Sequence, residues 1–347
     1  MRKAVPYTPG EQPGRSDIVK LNTNECPYPP SPKVAEAIRS FRAEELRLYP
    51  DPAAHKLVEA LAAHYHVETE QVFVGVGSDD VLALSFLTFF NSGRPVLFPD
   101  ITYSFYDVWA NLYGIPYRCP ALDGNFHLKK EDYMVENGGI IFPNPNAPTG
   151  VFEYISVVEE IIAHNPDSVV IVDEAYVDFG GVSVLPLVKK YDNLLVVQTF
   201  SKSRALAGMR IGYAIGSRKL IRYLNDVRFS FNSYTMSRLA IACGKACVED
   251  DVYFQEIVGK MIRTRERMKK ELAALGFSFP NSKANFVFAR HARVPAKKLF
   301  EALREAGIYV RHFDRPRIDN YLRISVGTDA ETDRLLAFLK QYLHEGE

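Results

Sequence analysis

Several short apolar runs in this 347-residue chain end in residues that can do chemistry. The run Ser168–Val172 ends in Asp173-Glu174-Ala175-Tyr176, and Leu194–Gln198 ends in Thr199-Phe200-Ser201-Lys202. Ile140–Phe142 leads into Asn144-Pro145-Asn146-Ala147-Pro148-Thr149-Gly150, and Val72–Val76 into Gly77-Ser78-Asp79. Taken singly, each has an ordinary explanation. An Asp after a strand often caps a helix, a Lys there is usually solvated, and a Gly-Ser-Asp turn opens many helices. The free N–H groups of such a turn also make an anion site. Together the four suit one chemistry. A lysine amine condenses with an aldehyde. A carboxylate on a neighbouring strand end holds a proton on a pyridine nitrogen, which makes the ring an electron sink. A helix N-terminus with small hydroxylated residues and one arginine seats a phosphate.

The elements that must position these residues are legible in the pattern. Strand-like runs at 72–76, 95–98, 139–142, 169–172, 194–198 and 210–215 alternate with helical patterning at 78–90, 104–113 and 156–164. Short, continuous apolar strands between helices imply an α/β domain with a mostly parallel sheet flanked by helices. Ligands of such sheets sit at the carboxyl ends of the strands, where the four segments fall. From about residue 232 the pattern changes to a long charged helix over 251–275 and shorter pieces after it, which implies a smaller second α/β domain. The expected division is an N-terminal arm over 1–18, a large domain over 33–231, and a small domain made of 19–32 and 232–347. The Pro- and Gly-rich stretch 5–16 reads as an extended arm.

Composition narrows the function classes. Lys and Arg together number 42, as do Asp and Glu, so the formal net charge is zero. A chain without basic excess has no general attraction to nucleic acid or anionic membrane. Glu256, Glu266 and Glu271 interleave the basic stretch 260–270, which reads as a solvated helix face. The longest apolar stretch, Val81–Phe90, is far short of the roughly 20 residues that span a bilayer. Cys26, Cys119, Cys243 and Cys247 are too scattered for a disulfide scaffold, and Cys243 with Cys247 lacks a second ligand pair, so no metal site is expected. The expected location is the cytoplasm.

On the segments GSDD, NPNAPTG, DEAY, TFSKSRALAGMRIGY and YLRISVGT, in that order, the chain resembles fold-type-I pyridoxal-phosphate aminotransferases. VPYTPG and LNTNECPYP make it similar to the histidinol-phosphate branch. The resemblance runs over essentially the whole chain and implies pyridoxal 5′-phosphate as cofactor. It implies a Schiff base on Lys202, with Asp173 on the pyridine nitrogen and Tyr176 on the phenolic oxygen. Tyr103 would stack on the ring. The phosphate would lie on the backbone N–H groups of Ser78 and Asp79, the hydroxyls of Thr199 and Ser201, and Arg210, with Tyr49 reaching it from a partner subunit. One position departs from the family: Ala147 stands where an asparagine usually bonds the phenolic oxygen. Either Asn146 swings in or Tyr176 does that work with a water; the expectation leans to Asn146.

For substrates, the resemblance implies that Arg323 grips the phosphate of L-histidinol phosphate and the carboxylate of glutamate. Arg311 would assist it, and Tyr7 would close over the same anion from the arm of a neighbouring subunit. The implied reaction is a ping-pong exchange of L-histidinol phosphate and 2-oxoglutarate for imidazole acetol phosphate and L-glutamate, in histidine biosynthesis. A homodimer follows from the shared site. Aromatic amino acid aminotransferase is one alternative, because a site for imidazole plus anion resembles one for phenyl plus carboxylate. Threonine-phosphate decarboxylase is the other, since it shares the phosphate-binding logic but breaks a different bond at Cα.

Overall fold

The computed structural model describes residues 5–8, 10–14 and 17–345. Its larger part is the expected α/β unit: a seven-stranded sheet in the order Val72–Gly75, Gly212–Gly216, Leu194–Thr199, Val170–Asp173, Ile140–Pro143, Val96–Leu97, Tyr117–Arg118. Gly212–Gly216 runs antiparallel to both of its neighbours, and the other pairings are parallel.

Both faces of the central strands are buried, which explains why they read as unbroken apolar runs. Ile140, Phe142, Val170, Val172, Leu194 and Val196 face one core, shared with the helices His55–Tyr65 and Ile155–His164. Their alternates Ile141, Ile171, Leu195 and Val197 face the other, against Ser78–Phe89, Tyr106–Tyr113 and Arg218–Phe231. The side-chain period of two along a strand thus divides each run between two helix layers.

The smaller part holds a four-stranded antiparallel sheet in the order Arg311–His312, Leu322–Ser325, Phe286–His291, Phe277–Ser278. The long helix Asp251–Ala274, with Ala296–Glu305 and Asp329–Glu345, covers it. Val19–Lys20 pairs in parallel with Ile308–Tyr309, which joins this segment to the smaller part.

The expected boundary at 232 is corrected. The helix Arg238–Val248 buries Ala240, Ile241, Cys243, Cys247 and Val248 in the same core as Leu57, Leu61 and the large sheet. Gly244 lies so close to Leu57 that an added Cβ would meet its Cδ1 at 3.0 Å. An apolar helix signals burial but not its partner, so only the change at Asp251 marks the small domain. Cys243 and Cys247 are free thiols in this packing, pushed up by burial.

Candidate active site

Hydrogen-bond register brings the carboxyl ends of three strands side by side. Pro143 pairs with Asp173, and Asp173 with Val197; two residues beyond Val197, Thr199 pairs with Gly212, which also pairs with Gly75 at the edge strand. A cavity of about 180 Å³ opens there, lined by Ser78, Asp79, Tyr103, Asp173, Tyr176, Thr199, Ser201, Lys202 and Arg210, with Thr23 and Glu25 of the N-terminal segment closing it. The first nine are among the residues that the resemblance assigns to the cofactor, and the fold puts them around one space. Beyond it, Tyr176, Phe179 and Ala147 pack into the small-domain core, so the cavity lies at the junction of the two parts.

One end of the cavity gathers backbone N–H groups, hydroxyls and a guanidinium, donors that suit an anion. Gly77, at φ +86°, precedes the helix Ser78–Phe89, whose first N–H groups have no acceptor within the helix. An added Cβ on Gly77 would come within 2.4 Å of the Arg210 guanidinium, and one on Gly212 within 2.2 Å of the Ser78 nitrogen. Both positions therefore keep the backbone close enough for Arg210 to lie against the helix start. Arg210 Nη2 pairs with Asp79 at 3.1 Å, and its Nη1 donates to Ser201 Oγ at 3.4 Å. Thr199 Oγ1 donates to Ser201 Oγ at 3.1 Å. Tyr103 donates to the other oxygen of Asp79 at 2.8 Å, which offsets that carboxylate's charge beside the anion site.

At the other end Asp173 is buried at 4 % exposure. Burial pushes its carboxyl up to about 6, while hydrogen bonds from Tyr106 and the Ala175 N–H oppose the rise. Tyr106 Oη donates to Oδ2 at 2.8 Å, and the Ala175 N–H to Oδ1 at 3.1 Å. The adjacent Glu174 turns away into the sheet, held by Ser183, the Val184 N–H and Gln198. A protonated pyridine nitrogen would give Asp173 the cationic partner it lacks, so the donor set fits pyridoxal phosphate at both ends. Lys202 lies between them. Its Nζ donates to the Thr23 carbonyl at 3.1 Å and sits 5.9 Å from the Tyr176 ring centre.

Tyr106 was not singled out from the sequence. It stands at the start of the helix Tyr106–Tyr113, one of several aromatics there, and nothing in the pattern marks its hydroxyl. Asn24, which donates to Tyr176 Oη at 3.0 Å, was likewise read only as part of a motif.

Asn146 does not take the place expected of it. Both hydrogens of its amide are used, one by the Ile101 carbonyl at 3.1 Å and one by Thr149 Oγ1 at 2.9 Å. Its Oδ1 is buried and unpartnered, and an acceptor cannot donate to a phenolic oxygen. Ala147 lines the cavity instead, and Tyr176 is the donor placed there.

The substrate-side residues are assembled by the small domain and the arm. Arg323 donates through Nη2 to the Asn22 carbonyl at 2.9 Å and lies over Phe286 and Phe313, while its buried Nε has no partner. Burial lowers the guanidinium's proton affinity, with Arg311 adding to the effect and Tyr176, Tyr7 and Tyr103 opposing it. A largely buried cation with an unused donor can take an anion. Arg311 stands beside it and donates to the Thr8 carbonyl at 3.4 Å.

Tyr7 is corrected. Its ring stacks on Phe105 of its own chain, with centroids 4.3 Å apart. The arm is fastened to its own small domain by Asn22 Nδ2 to the Glu11 carbonyl at 2.8 Å and by Arg304 to Glu11 at 2.9 Å. Tyr49, by contrast, is 77 % exposed, stacks on Tyr234, and does not line its own chain's cavity.

Residues 16–339 match the aminotransferase class I and II family. The chain is 53 % identical over all of its length to the histidinol-phosphate aminotransferase of Lactococcus lactis subsp. cremoris, covering 98 % of that protein. It is 55 % identical to histidinol-phosphate aminotransferase 1 of Bordetella parapertussis, over 97 % of this chain and 95 % of that one. The solved structure of histidinol-phosphate aminotransferase from Sinorhizobium meliloti, in complex with pyridoxal-5′-phosphate, superposes with a TM-score of 0.84 at 25 % identity, over 94 % of this chain and 91 % of that one. With the strand-end lysine and aspartate, the phosphate cradle and these likenesses in agreement over the full chain, it belongs to the aminotransferase class I and II family.

Proposed function

We propose that this chain is a pyridoxal-phosphate-dependent aminotransferase that exchanges L-histidinol phosphate and 2-oxoglutarate for imidazole acetol phosphate and L-glutamate. The observation that carries it is the convergence of Lys202, Asp173, Tyr176 and the Ser78–Arg210 phosphate cradle on one cavity, beside an arginine with an unused donor. Full-length likeness to proteins named for that substrate supports the same choice.

Pyridoxal phosphate, when bound, supplies an aldehyde for reversible amine exchange and a ring that withdraws electrons from the carbon losing its proton. The rest falls to the chain. Asp173 would hold a proton on the ring nitrogen through a charge-assisted hydrogen bond, its two oxygens already fixed by Tyr106 and Ala175. Tyr176 would donate to the phenolic oxygen. Lys202 Nζ would accept the proton released from the substrate's α-carbon and keep it in the cavity, where the Thr23 carbonyl holds the amine in place. Ser78, Asp79, Thr199, Ser201 and Arg210 would fix the cofactor phosphate.

Arg323 would bind the phosphate of one substrate and the carboxylate of the other. Both are anions that a planar guanidinium takes through paired hydrogen bonds. Replacing Arg323 with Gln should lower kcat/KM for histidinol phosphate and for glutamate by about 10²–10³-fold, as truncating one member of a buried charge pair costs 2–5 kcal/mol. Steady-state kinetics with both substrates check this, and a loss under about threefold would remove Arg323 from the site.

We further propose a homodimer. Tyr49, Tyr234, Leu46 and Leu48 form exposed apolar surface on neighbouring segments, and Tyr49 would complete the partner's phosphate site. Large exposed apolar patches mark association surfaces. Among the described residues no helix is long and apolar enough to cross a membrane, and the four free cysteines suit a reducing compartment such as the cytoplasm.

The experiment that tests the reaction is a single-turnover spectrum of the loaded enzyme with L-histidinol phosphate, L-phenylalanine and L-threonine phosphate at matched concentration. Rapid loss of the visible band with histidinol phosphate, restored by 2-oxoglutarate, is expected. Faster conversion by phenylalanine would make it an aromatic aminotransferase, and carbon dioxide release from threonine phosphate a decarboxylase.

A further inference from the structure

We infer that Asn24 is a positioning residue that aims the hydroxyl proton of Tyr176 into the cavity, with Ser325 fixing which way the Asn24 amide points. The inference rests on the cofactor reading above and adds to it a residue outside the cavity wall. Thr23 and Glu25 line the cavity, while the side chain of Asn24 between them is buried and runs to Tyr176. Its Nδ2 donates to Tyr176 Oη at 3.0 Å.

The direction of that bond matters more than its presence. A phenol oxygen that accepts from an amide keeps its own proton for another acceptor. Were the amide turned over, Oδ1 would face Tyr176 and take the proton instead. Ser325 favours the first orientation, because a turned amide would take away the acceptor its hydroxyl proton has here. Its Oγ accepts from the Asn24 backbone N–H at 3.0 Å, and its single hydrogen goes to Asn24 Oδ1 at 2.8 Å. Asn285 Nδ2 holds the Asn24 carbonyl at 2.9 Å. With Oδ1 and the backbone both occupied, Nδ2 is left for Tyr176. Asn24 has φ +57°, a left-handed conformation that asparagine tolerates better than most residues. Ser325 lies two positions after Arg323 on the strand Leu322–Ser325, so the strand that presents the anion-binding arginine also sets the tyrosine's donor direction. The charged and titratable groups that line the cavity with Tyr176 are Lys202, Asp173, Glu25, Asp79, Tyr103 and Arg210, with Tyr106 and Arg323 near it. The phenolic oxygen of the bound cofactor would be the acceptor for the Tyr176 proton.

The test is a pH titration of the visible band of the pyridoxal-phosphate-loaded enzyme, in wild type, Asn24→Gly, Tyr176→Phe and the double variant. Glycine adopts the left-handed conformation freely, so Asn24→Gly removes the amide without straining the backbone. The titration midpoint should rise by about one unit in Asn24→Gly, a tenfold change in the acid constant, and adding Asn24→Gly to Tyr176→Phe should move it no further. Ser325→Ala, which leaves Asn24 in place but frees its amide to turn, should give part of the same rise even if Asn24→Gly does not fold. An unmoved midpoint in both Asn24→Gly and Ser325→Ala overturns the inference, as does an equal shift in the Tyr176→Phe background. A wild-type protein that takes up no pyridoxal phosphate would sink the cofactor reading itself and this one with it.

Discussion

Lys202→Ala should leave a folded protein that holds pyridoxal phosphate only reversibly and turns over about 10⁴-fold more slowly, the upper end of what a positioned acid–base group contributes. The size follows from the side chain's two jobs. Its amine supplies the covalent link to the cofactor aldehyde, and it is the base placed to move the substrate's proton. Among the residues that line the cavity, the other titratable side chains are committed elsewhere: Asp173 to Tyr106 and the Ala175 N–H, Asp79 to Arg210 and Tyr103, Glu25 to Lys20 and Thr23, and Tyr176 to Asn24. Folding should survive, because the amine's hydrogen bond in the chain is a single one to the Thr23 carbonyl. Borohydride treatment followed by mass measurement reads the link directly: wild type should gain the mass of the reduced cofactor and the variant should not. A variant that keeps turnover within tenfold would move the base to another residue. Added small amines should restore part of the rate if the missing function is a proton acceptor rather than a shape.

The strand-end residues were legible in the sequence because two-faced burial makes a strand an unbroken apolar run, and its end is then visible as the first polar residue. That is how Asp173, Thr199 and the Gly77-Ser78-Asp79 turn stand out, and why the fold unites them. Patterns of burial say nothing about which polar groups pair. Tyr106 reads as one more apolar position of an amphipathic helix, yet its hydroxyl is spent on Asp173. Asn24 reads as loop, yet it is buried between the two parts of the molecule. Asn146 shows the converse. Its residue type fitted a cofactor contact, but the two carbonyl- and hydroxyl-directed bonds of its amide are local and leave it no free hydrogen. The helix Arg238–Val248 shows a third limit: which core a segment packs against is not written in its own periodicity.

Asp173→Asn should separate activity from stability in opposite directions. Without cofactor, the buried carboxyl has its ionisation raised from 3.8 to about 6. Between those values the folded chain holds a proton that the unfolded chain has released, so stability falls as pH rises through this window and the penalty is complete above about pH 6. At 1.36 kcal/mol per unit the ceiling is about 3 kcal/mol. Asparagine keeps the bond from the Ala175 N–H and can donate to Tyr106 Oη, which strands the Tyr106 hydrogen at a cost of about 1–2 kcal/mol. The cofactor-free variant should therefore match or fall below wild type at pH 4 and exceed it by about 1–2 kcal/mol at pH 7. Glu174, raised to about 7 by the same burial, titrates in both proteins and cancels in the difference. Loading reverses the order. Wild-type Asp173 gains a cationic ring nitrogen as partner, whereas a neutral amide cannot hold that proton. Cofactor should then stabilise wild type more than the variant, and the variant's turnover should be lower by about 10²–10³-fold, the loss seen when one preorganised electrostatic contact is removed. Denaturant melts of both proteins at pH 4 and pH 7, with and without pyridoxal phosphate, read all four corners. A variant less stable than wild type at pH 7 without cofactor would show that Tyr106 and Ala175 already compensate the buried charge.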